Sequence, residues 1–333
     1  MQRAVSAVAL RSSQHDIRIC RLGFIPVMTK FVLSIATLGL LLNASAAQVA
    51  VSSTAEPKVT VAFFASDDHD KPLSEISQSE LQILDNKKPP KQMLEMKRRT
   101  DVPLLLGVVI DISGSQHDDD QYKAAVQGAS EFTKAVLSGA NDMAFFEQFS
   151  AVPEATPIMA KSEFLTLKVD LRPAGRTALY DAVRFACDER MKSDSLRNYL
   201  RVIVLLSDGE DNSSRNDIRQ AIASAQRAGV VIFAVDTATI FHSGFFVHAK
   251  GTEMLQQLAR ETGGFAFLDL DQGGLTKAFT TLKEQIDSMY LLSYVPADPA
   301  GPSYHSLKID SIPRKPRVKV RATHGYYSHL IVP

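Results

Sequence analysis

Apolar, β-branched runs recur between residues 101 and 289, each separated from the next by an amphipathic stretch. The runs are "LLLGVVI", "DMAFFEQFS", "RVIVLLS", "VVIFAVD" and "FAFLDL". Between them lie "QYKAAVQGASEFTKAVL", "LYDAVRFACDERMK", "NDIRQAIASAQRAG" and "TEMLQQLARETGG". A strand that is apolar on both faces needs cover on both faces, and helices joining parallel strands supply it. Glycines just past the helical patterns, in "AGV" and "TGGF", are C-cap signals. The alternation predicts an α/β fold with a doubly wound, mostly parallel, Rossmann-like sheet over residues 101–289.

The flanks read differently. Over 48–100, "KVTVAFFA" alternates through Val59, Val61 and Phe63, and "LQILDNKKPPKQMLEM" carries a polar, proline-bearing turn between apolar arms, as a hairpin would. Over 290–333, "YLLSYVP", "HSLKIDS" and "RVKVRATHGYY" return to strand patterns, with basic residues alternating around Val318 and Val320. Each flank alone is marginal for a core, and together they reach the size of a β-sandwich. The expectation is that 48–100 and 290–333 pair into one sandwich-like β domain with the α/β domain inserted between them.

Residues 1–47 read as a leader. "FVLSIATLGLLL" follows Lys30 and precedes "NASAAQ", the charged, apolar, small-residue order of a secretory signal with cleavage near Ala46 or Ala47. The run is too short to span a membrane, and no later run approaches that length. Met28-Thr29-Lys30 would make a conventional start, with residues 1–27 an upstream extension. Removing 1–47 takes away five basic residues, one acid and Cys20, leaving Cys187 as a lone cysteine in a mildly acidic chain. The only clustered basic run is "KRR" at Lys97–Arg99, so nothing points to nucleic acid. The reading is an exported protein: periplasmic, cell-surface or secreted.

The chemistry concentrates at strand ends. In "GVVIDISGSQHDDD" a buried-looking strand ends in Asp111, followed by Ser113 and Ser115. "LLSDGED" ends another strand and places Asp208 in the same layer, and "AGRTALYDAV" offers Thr177 on a loop that enters a helix. In an open α/β sheet, ligands bind at the carboxyl ends of the strands near the switch in strand order. Hydroxyl and carboxylate oxygens together form a hard-cation donor set, suited to magnesium, or to manganese or calcium in its place. The bland alternative is that the serines satisfy a turn and Asp208 caps the next helix.

Asp-x-Ser-x-Ser at 111–115, Thr177 and Ser-Asp-Gly at 207–209 resemble the von Willebrand factor type A domain, in the same order and spacing. The resemblance covers about 101–289. It implies a metal-ion-dependent adhesion site with Asp111, Ser113, Ser115, Thr177 and Asp208 as ligands, at which a partner's Asp or Glu completes the coordination. Gln116 stands where methionine is common. "TDVPLLLGVVIDISGS" and "SYVPADPA…HSLKIDS…VKVRATHGYY" also resemble exported von Willebrand-A-related proteins of Acidobacteria. Asp118 and Asp119 are similar to the last two acids of the integrin β-subunit pattern Asp-x-Ser-x-Ser-x-x-Asp-Asp, which implies a second, regulatory calcium. The plainer reading is that Asp118–Asp120 open a helix, where acids suit the dipole.

Other features weigh less. "TIFHSGFFVHAKG" leaves the sheet at the same edge, and Phe241, His242, Phe245 and Phe246 could form a partner-contacting rim or fold down onto the helices. His242 and His248 lack a third zinc ligand. "DDHDKPL" lacks the glycine and final glutamate of a calcium loop and reads as a solvated turn. Cys187 sits on an apolar helix face as a small hydrophobe. No nucleophile elbow, Walker loop or dinucleotide fingerprint appears. The sequence therefore points to a non-enzymatic, metal-dependent binding module. The alternative is an envelope assembly component whose metal only stabilises the fold, and metal-assisted hydrolysis is a third reading that lacks a named general base.

Overall fold

The computed structural model describes residues 56–73, 75–116, 120–238, 245–312 and 318–332, with the side chains of 121, 245–248 and 272 left aside. The leader and its proposed start at Met28 lie outside these residues, as do Asp118, Asp119, Phe241 and His242.

Three strands come first: β1 (Val59–Ser66), β2 (Leu81–Asp85) and β3 (Gln92–Arg98). The α/β portion follows as β4 (Leu104–Asp111), α1 (Asp120–Val136), β5 (Met143–Phe149), β6 (Pro153–Ala155), β7 (Met159–Ala160), α2 (Lys161–Phe164) and α3 (Leu179–Phe185). It continues through β8 (Leu200–Ser207), α4 (Ile218–Ala228), β9 (Val231–Asp236), α5 (Phe245–Thr262), β10 (Ala266–Phe267) and α6 (Gln272–Asp287). Four strands close the chain: β11 (Tyr290–Val295), β12 (Tyr304–Ser311), β13 (Lys319–Ala322) and β14 (Gly325–Tyr327).

The central sheet runs β10-β9-β8-β4-β5-β6, parallel except where β6 and β7 fold back antiparallel on β5. The chain steps outward from β4 to β5 and returns on the other side of β4 for β8, so the order reverses at β4. Every residue of β4 is buried. Leu104, Leu106, Val108 and Ile110 enter one apolar cluster with α1 and α6, while Leu105 and Val109 enter another with α3 and α4. This is the two-faced burial that the continuous apolar runs predict. Helix α4 starts at Asp217, whose side chain accepts from the Gln220 amide in a capping box, and stops at Gly229 with φ +62°.

The two flanks interleave. One sheet has the order β13-β1-β11-β3 and the other β14-β12-β2, so each mixes strands from before and after the α/β portion. Val61, Phe63, Leu292 and Tyr294 of the first meet Ile83, Leu307, Ile309 and Tyr326 of the second in one apolar cluster. Asp85 lies at its centre, buried, accepting from Tyr294 Oη at 3.0 Å and Tyr326 Oη at 2.5 Å, with His305 Nδ1 at 2.7 Å. A single β2 carboxylate thus joins three strands of the C-terminal flank.

Several details depart from the pattern-based expectations. β2 and β3 do not form a hairpin: β2 pairs with β12 and β3 with β11, so the "DNKKPPK" turn crosses between sheets. Pairing across the sandwich lets β2 bury one face, as its alternating burial shows. β1 buries nearly every residue rather than one face, because Ala62 and Phe64 pack into the α/β cluster, with the Phe64 ring 6.3 Å from that of Phe233. "FAFLDL" yields only a two-residue strand. Helix α3 continues into a π-helical turn at Ala186–Met191. Cys187 is buried there, as the apolar helix face implied. "DDHD" forms a turn in which Asp67 Oδ1 accepts from the amides of His69 and Lys71. No helix among the described residues is long and apolar enough to cross a membrane.

The chain enters the α/β portion through a buried ion pair. Arg99 Nη2 donates to Asp142 Oδ2 at 2.7 Å, and Asp142 also accepts from the Leu104 and Gly139 amides. The Arg99 amide reaches Met289 O, so entry and exit are tied together at one place. Removing one member of a buried pair strands the other charge. Asp142→Ala is expected to cost about 3–5 kcal/mol in urea denaturation. Arg99→Met is expected to cost less, because Asp142 keeps its two amide donors. Equal losses in the two variants would contradict this account.

Candidate metal centre

Parallel strands present their carboxyl ends at one edge, and three loops meet there. Asp111 ends β4 fully buried. Its Oδ1 accepts the Ser113 amide at 2.8 Å and its Oδ2 the Ser207 hydroxyl at 2.7 Å, so its own following turn fixes one oxygen and the neighbouring strand β8 the other. The turn after Asp111 sets Ser113 Oγ 3.1 Å from Ser115 Oγ. Ser113 is buried and Ser115 exposed, so the pair runs from the interior to the surface.

The threonine loop is clamped from both sides. The Gly114 amide donates to Gly175 O at 2.9 Å, and the Ala174 amide to Ile112 O at 2.8 Å. On the other side, Asn212 Oδ1 accepts the Thr177 amide at 3.0 Å, and Thr177 O accepts the amides of Asn212 and Ser213. Thr177 is buried beside them, one residue before Ala178, the N-cap of α3. Asp208 follows β8, buried, with its Oδ1 accepting the Glu210 amide at 3.0 Å. Gly209 has φ +77°, and a Cβ there would lie 2.2 Å from Gly251 O, so only glycine lets α5 approach this loop.

The electrostatics are one-sided. Burial first, and then the charge of Asp208, push the Asp111 carboxyl up to about 7, against the hydrogen bonds from Ser113 and Ser207 that pull it down. Burial and Asp208 also raise Glu210. No cationic side chain of the described residues acts on Asp111. The exposed Arg176 spends its guanidinium on Asn212. Hydroxyls from two loops and two buried acids therefore share one sheet edge with no positive charge between them among the described residues, a donor set that fits a hard divalent cation.

The five candidates Asp111, Ser113, Ser115, Thr177 and Asp208 all sit on these three linked loops. The other expectations fare differently. Phe245 and Phe246 open helix α5 rather than lying on a loop, and their side chains, like that of His248, are outside the described set. Sequence reasoning named Ser207 and Gln116 without a bonding role for either, and passed over Asn212 and Thr237. Thr237 Oγ1 donates to Gln116 Oε1 at 2.7 Å, which gives Gln116 a buried tie to the end of β9. Ser207 carried a signal, a hydroxyl at the last position of an apolar strand and next to an acid.

No curated protein matches the chain. Among solved structures, proximal thread matrix protein 1 from the mussel byssus is similar at 18% identity, covering 59% of this chain and 48% of that one, with a TM-score of 0.46. A von Willebrand factor type A protein from Catenulispora acidiphila is similar at 11% identity over 83% and 75%, with a TM-score of 0.44. The PilB minor pilin from Streptococcus sanguinis is similar at 17% identity over 60% and 63%, with a TM-score of 0.43. This chain thus spans about half the length of the mussel protein. The family profile of the von Willebrand factor type A domain matches residues 106–281, more than half of the sequence. The chain belongs to the von Willebrand factor type A domain family.

Proposed function

We propose that the protein is an exported, non-enzymatic binding module that takes a divalent cation, magnesium first, at Asp111, Ser113, Ser115, Thr177 and Asp208. The observation that carries this reading is the meeting of hard oxygen donors from three loops around buried acids that no cationic side chain of the described residues neutralises. The serine and threonine hydroxyls would hold the ion directly, and the two carboxylates partly through water. Such an ion keeps uncompensated positive charge, and its open position accepts a carboxylate from a protein partner. Asp111 and Ser207 set the floor of the site, the Gly114–Gly175 contact fixes the distance between two of its loops, and Asn212 holds the third.

The depth of Asp111 and Asp208 also favours a second reading, in which the ion serves only to neutralise buried acids in an envelope assembly component. A pull-down from the cell envelope in magnesium separates the two. Binding lost with a chelator, and lost in Asp111→Ala, supports ligand capture. A chelator that lowers the melting temperature and leaves binding intact supports the stabilising role. Calorimetry on Asp111→Ala is expected to show no magnesium binding, and unchanged affinity would refute the site.

The sign of the Asp111 shift gives a further expectation. Its carboxyl in the folded, metal-free protein lies above the ordinary carboxylate value, at about 7. Between those values the folded state binds more protons than the unfolded chain, so stability falls as pH rises through this window. Metal-free protein is expected to melt higher near pH 5.5 than near pH 8, with magnesium reducing the difference. A melting temperature that rises steadily over the same range in chelator would contradict the proposed environment of Asp111.

A further inference from the structure

A second site lies at the opposite, amino-terminal end of the central sheet. There the segment entering the α/β portion, the start of β8 and the end of the chain border a cleft of about 340 Å³. Its charged lining is Lys58, Lys97, Arg197 and Arg201 against Glu95 and Asp101. Two of these cations are answered: Lys97 pairs with Glu95 at 3.1 Å, and Arg197 with the exposed Asp194 at 2.7 Å. Lys58 and Arg201 have no carboxylate partner among the described residues.

Arg201 is the anomaly. It is 5% exposed. Its Nε donates to Leu196 O at 3.1 Å and its Nη1 to Ala228 O at 2.6 Å, both backbone carbonyls. Ala228 ends α4, so the helix dipole supplies part of the missing negative charge. A buried guanidinium is ordinarily met by a full carboxylate. Here no carboxylate of the described residues touches it: after burial, the charge of Arg197 opposes its own, and Asp194 offsets this only from beyond ion-pair distance. Arg227 lies close by, stacked on Tyr327, and its Nη2 donates to the neutral Ser224 hydroxyl. The positive charges of Lys192, Arg197 and Arg227, after burial, hold the imidazole of His329 below its ordinary range. The cleft thus sets four cations against two carboxylates, and its buried Arg201 is in direct contact with backbone carbonyls alone among the described residues.

We propose that this cleft binds a phosphate group, free or as a phosphomonoester, through Lys58 and Arg201 with Arg197 at its rim. Beyond these contacts Arg201 keeps Nη2, Arg197 keeps Nη1 and Lys58 keeps its ammonium, three donors from three segments that line the same cleft. A tetrahedral phosphate offers oxygens to each, whereas a carboxylate has only two oxygens in one plane. The site is built from other residues than the metal centre, and neither reading depends on the other.

The test is calorimetry on the full chain with a chelator present, so that phosphate cannot report through a metal. Sodium phosphate is titrated against sodium acetate and sodium chloride at matched ionic strength. The expected result is saturable phosphate binding at least about tenfold tighter than acetate, weakened about tenfold or more in Lys58→Ala. Arg201→Gln should weaken it too, with circular dichroism checking its fold. Lys58 and Arg197 lie toward the surface, so their alanine variants keep the test decisive if Arg201→Gln unfolds. Phosphate heats equal to those of acetate or chloride, or unchanged in Lys58→Ala and Arg197→Ala, would overturn the site. A second arm identifies the source of the phosphate, using phosphatidylcholine vesicles with and without phosphatidic acid. Flotation only with phosphatidic acid, lost in Lys58→Ala, assigns the cleft to a lipid headgroup. Phosphate binding without flotation assigns it to soluble phosphorylated ligands.

Discussion

A parallel sheet delivers the same end of every strand to one edge, and that constraint decides where the acids of this protein meet. β4 and β8 are hydrogen-bonded neighbours over nearly their whole lengths, with Ile110 opposite Leu206. Asp111 and Ser207, one residue further on, therefore face each other, and Asp208 follows within reach of the same charge. The Ser207 hydroxyl on Asp111 is a direct product of that register. A slip of one residue between β4 and β8 would turn the apolar rows to the wrong faces as well as separate the oxygens. The packing that stabilises the sheet and the geometry that defines the site are thus the same constraint. The cost is two acids buried together, which the raised Asp111 carboxyl registers.

The flanking strands impose a second constraint. Because both sheets of the sandwich draw strands from each side of the α/β portion, the sandwich cannot form until the inserted segment has brought its own ends together. The junction is built for this. Arg99 reaches Asp142 and Met289 at the crossing, and Asp85 gathers β11, β12 and β14 inside the sandwich. Both are buried polar contacts of the kind that contribute modestly when whole and cost heavily when half removed. Ala62 and Phe64 then seat the sandwich against the α/β core, so the β flank is a packed neighbour rather than a tethered appendage.

Much of this was legible in the sequence because periodicity reports burial. β4, β5, β8 and β9 are long, apolar and bounded by polar residues, and their type and order follow from that. Asp111, Ser113, Thr177 and Asp208 stood out because oxygens at the ends of buried strands are conspicuous. What escaped was what periodicity does not encode. The partner of β2 depends on how the chain crosses between sheets, and a proline-bearing turn has the same composition in a hairpin as in a crossover. β10 is too short for a pattern, and α6 starts on "QGG", which dilutes its helical signal. Ser207, Asn212 and Gln116 act through partners far away in sequence, so their roles appear only once three loops are side by side.

The same directionality explains why the two ends of the sheet differ electrically. At the carboxyl edge the loops carry Asp111 and Asp208, and at the amino edge lie Lys58 just before β1, Arg201 at the start of β8 and Arg227 in the last turn of α4. Helix termini reinforce the division where they can be placed: α4 ends at the basic edge, where its carbonyls meet Arg201. The two proposals thus place a cation at one end and an anion at the other of a chain of zero formal net charge. The length of the β4 and β8 strands separates the two proposed sites, so the two proposals do not compete for the same surface.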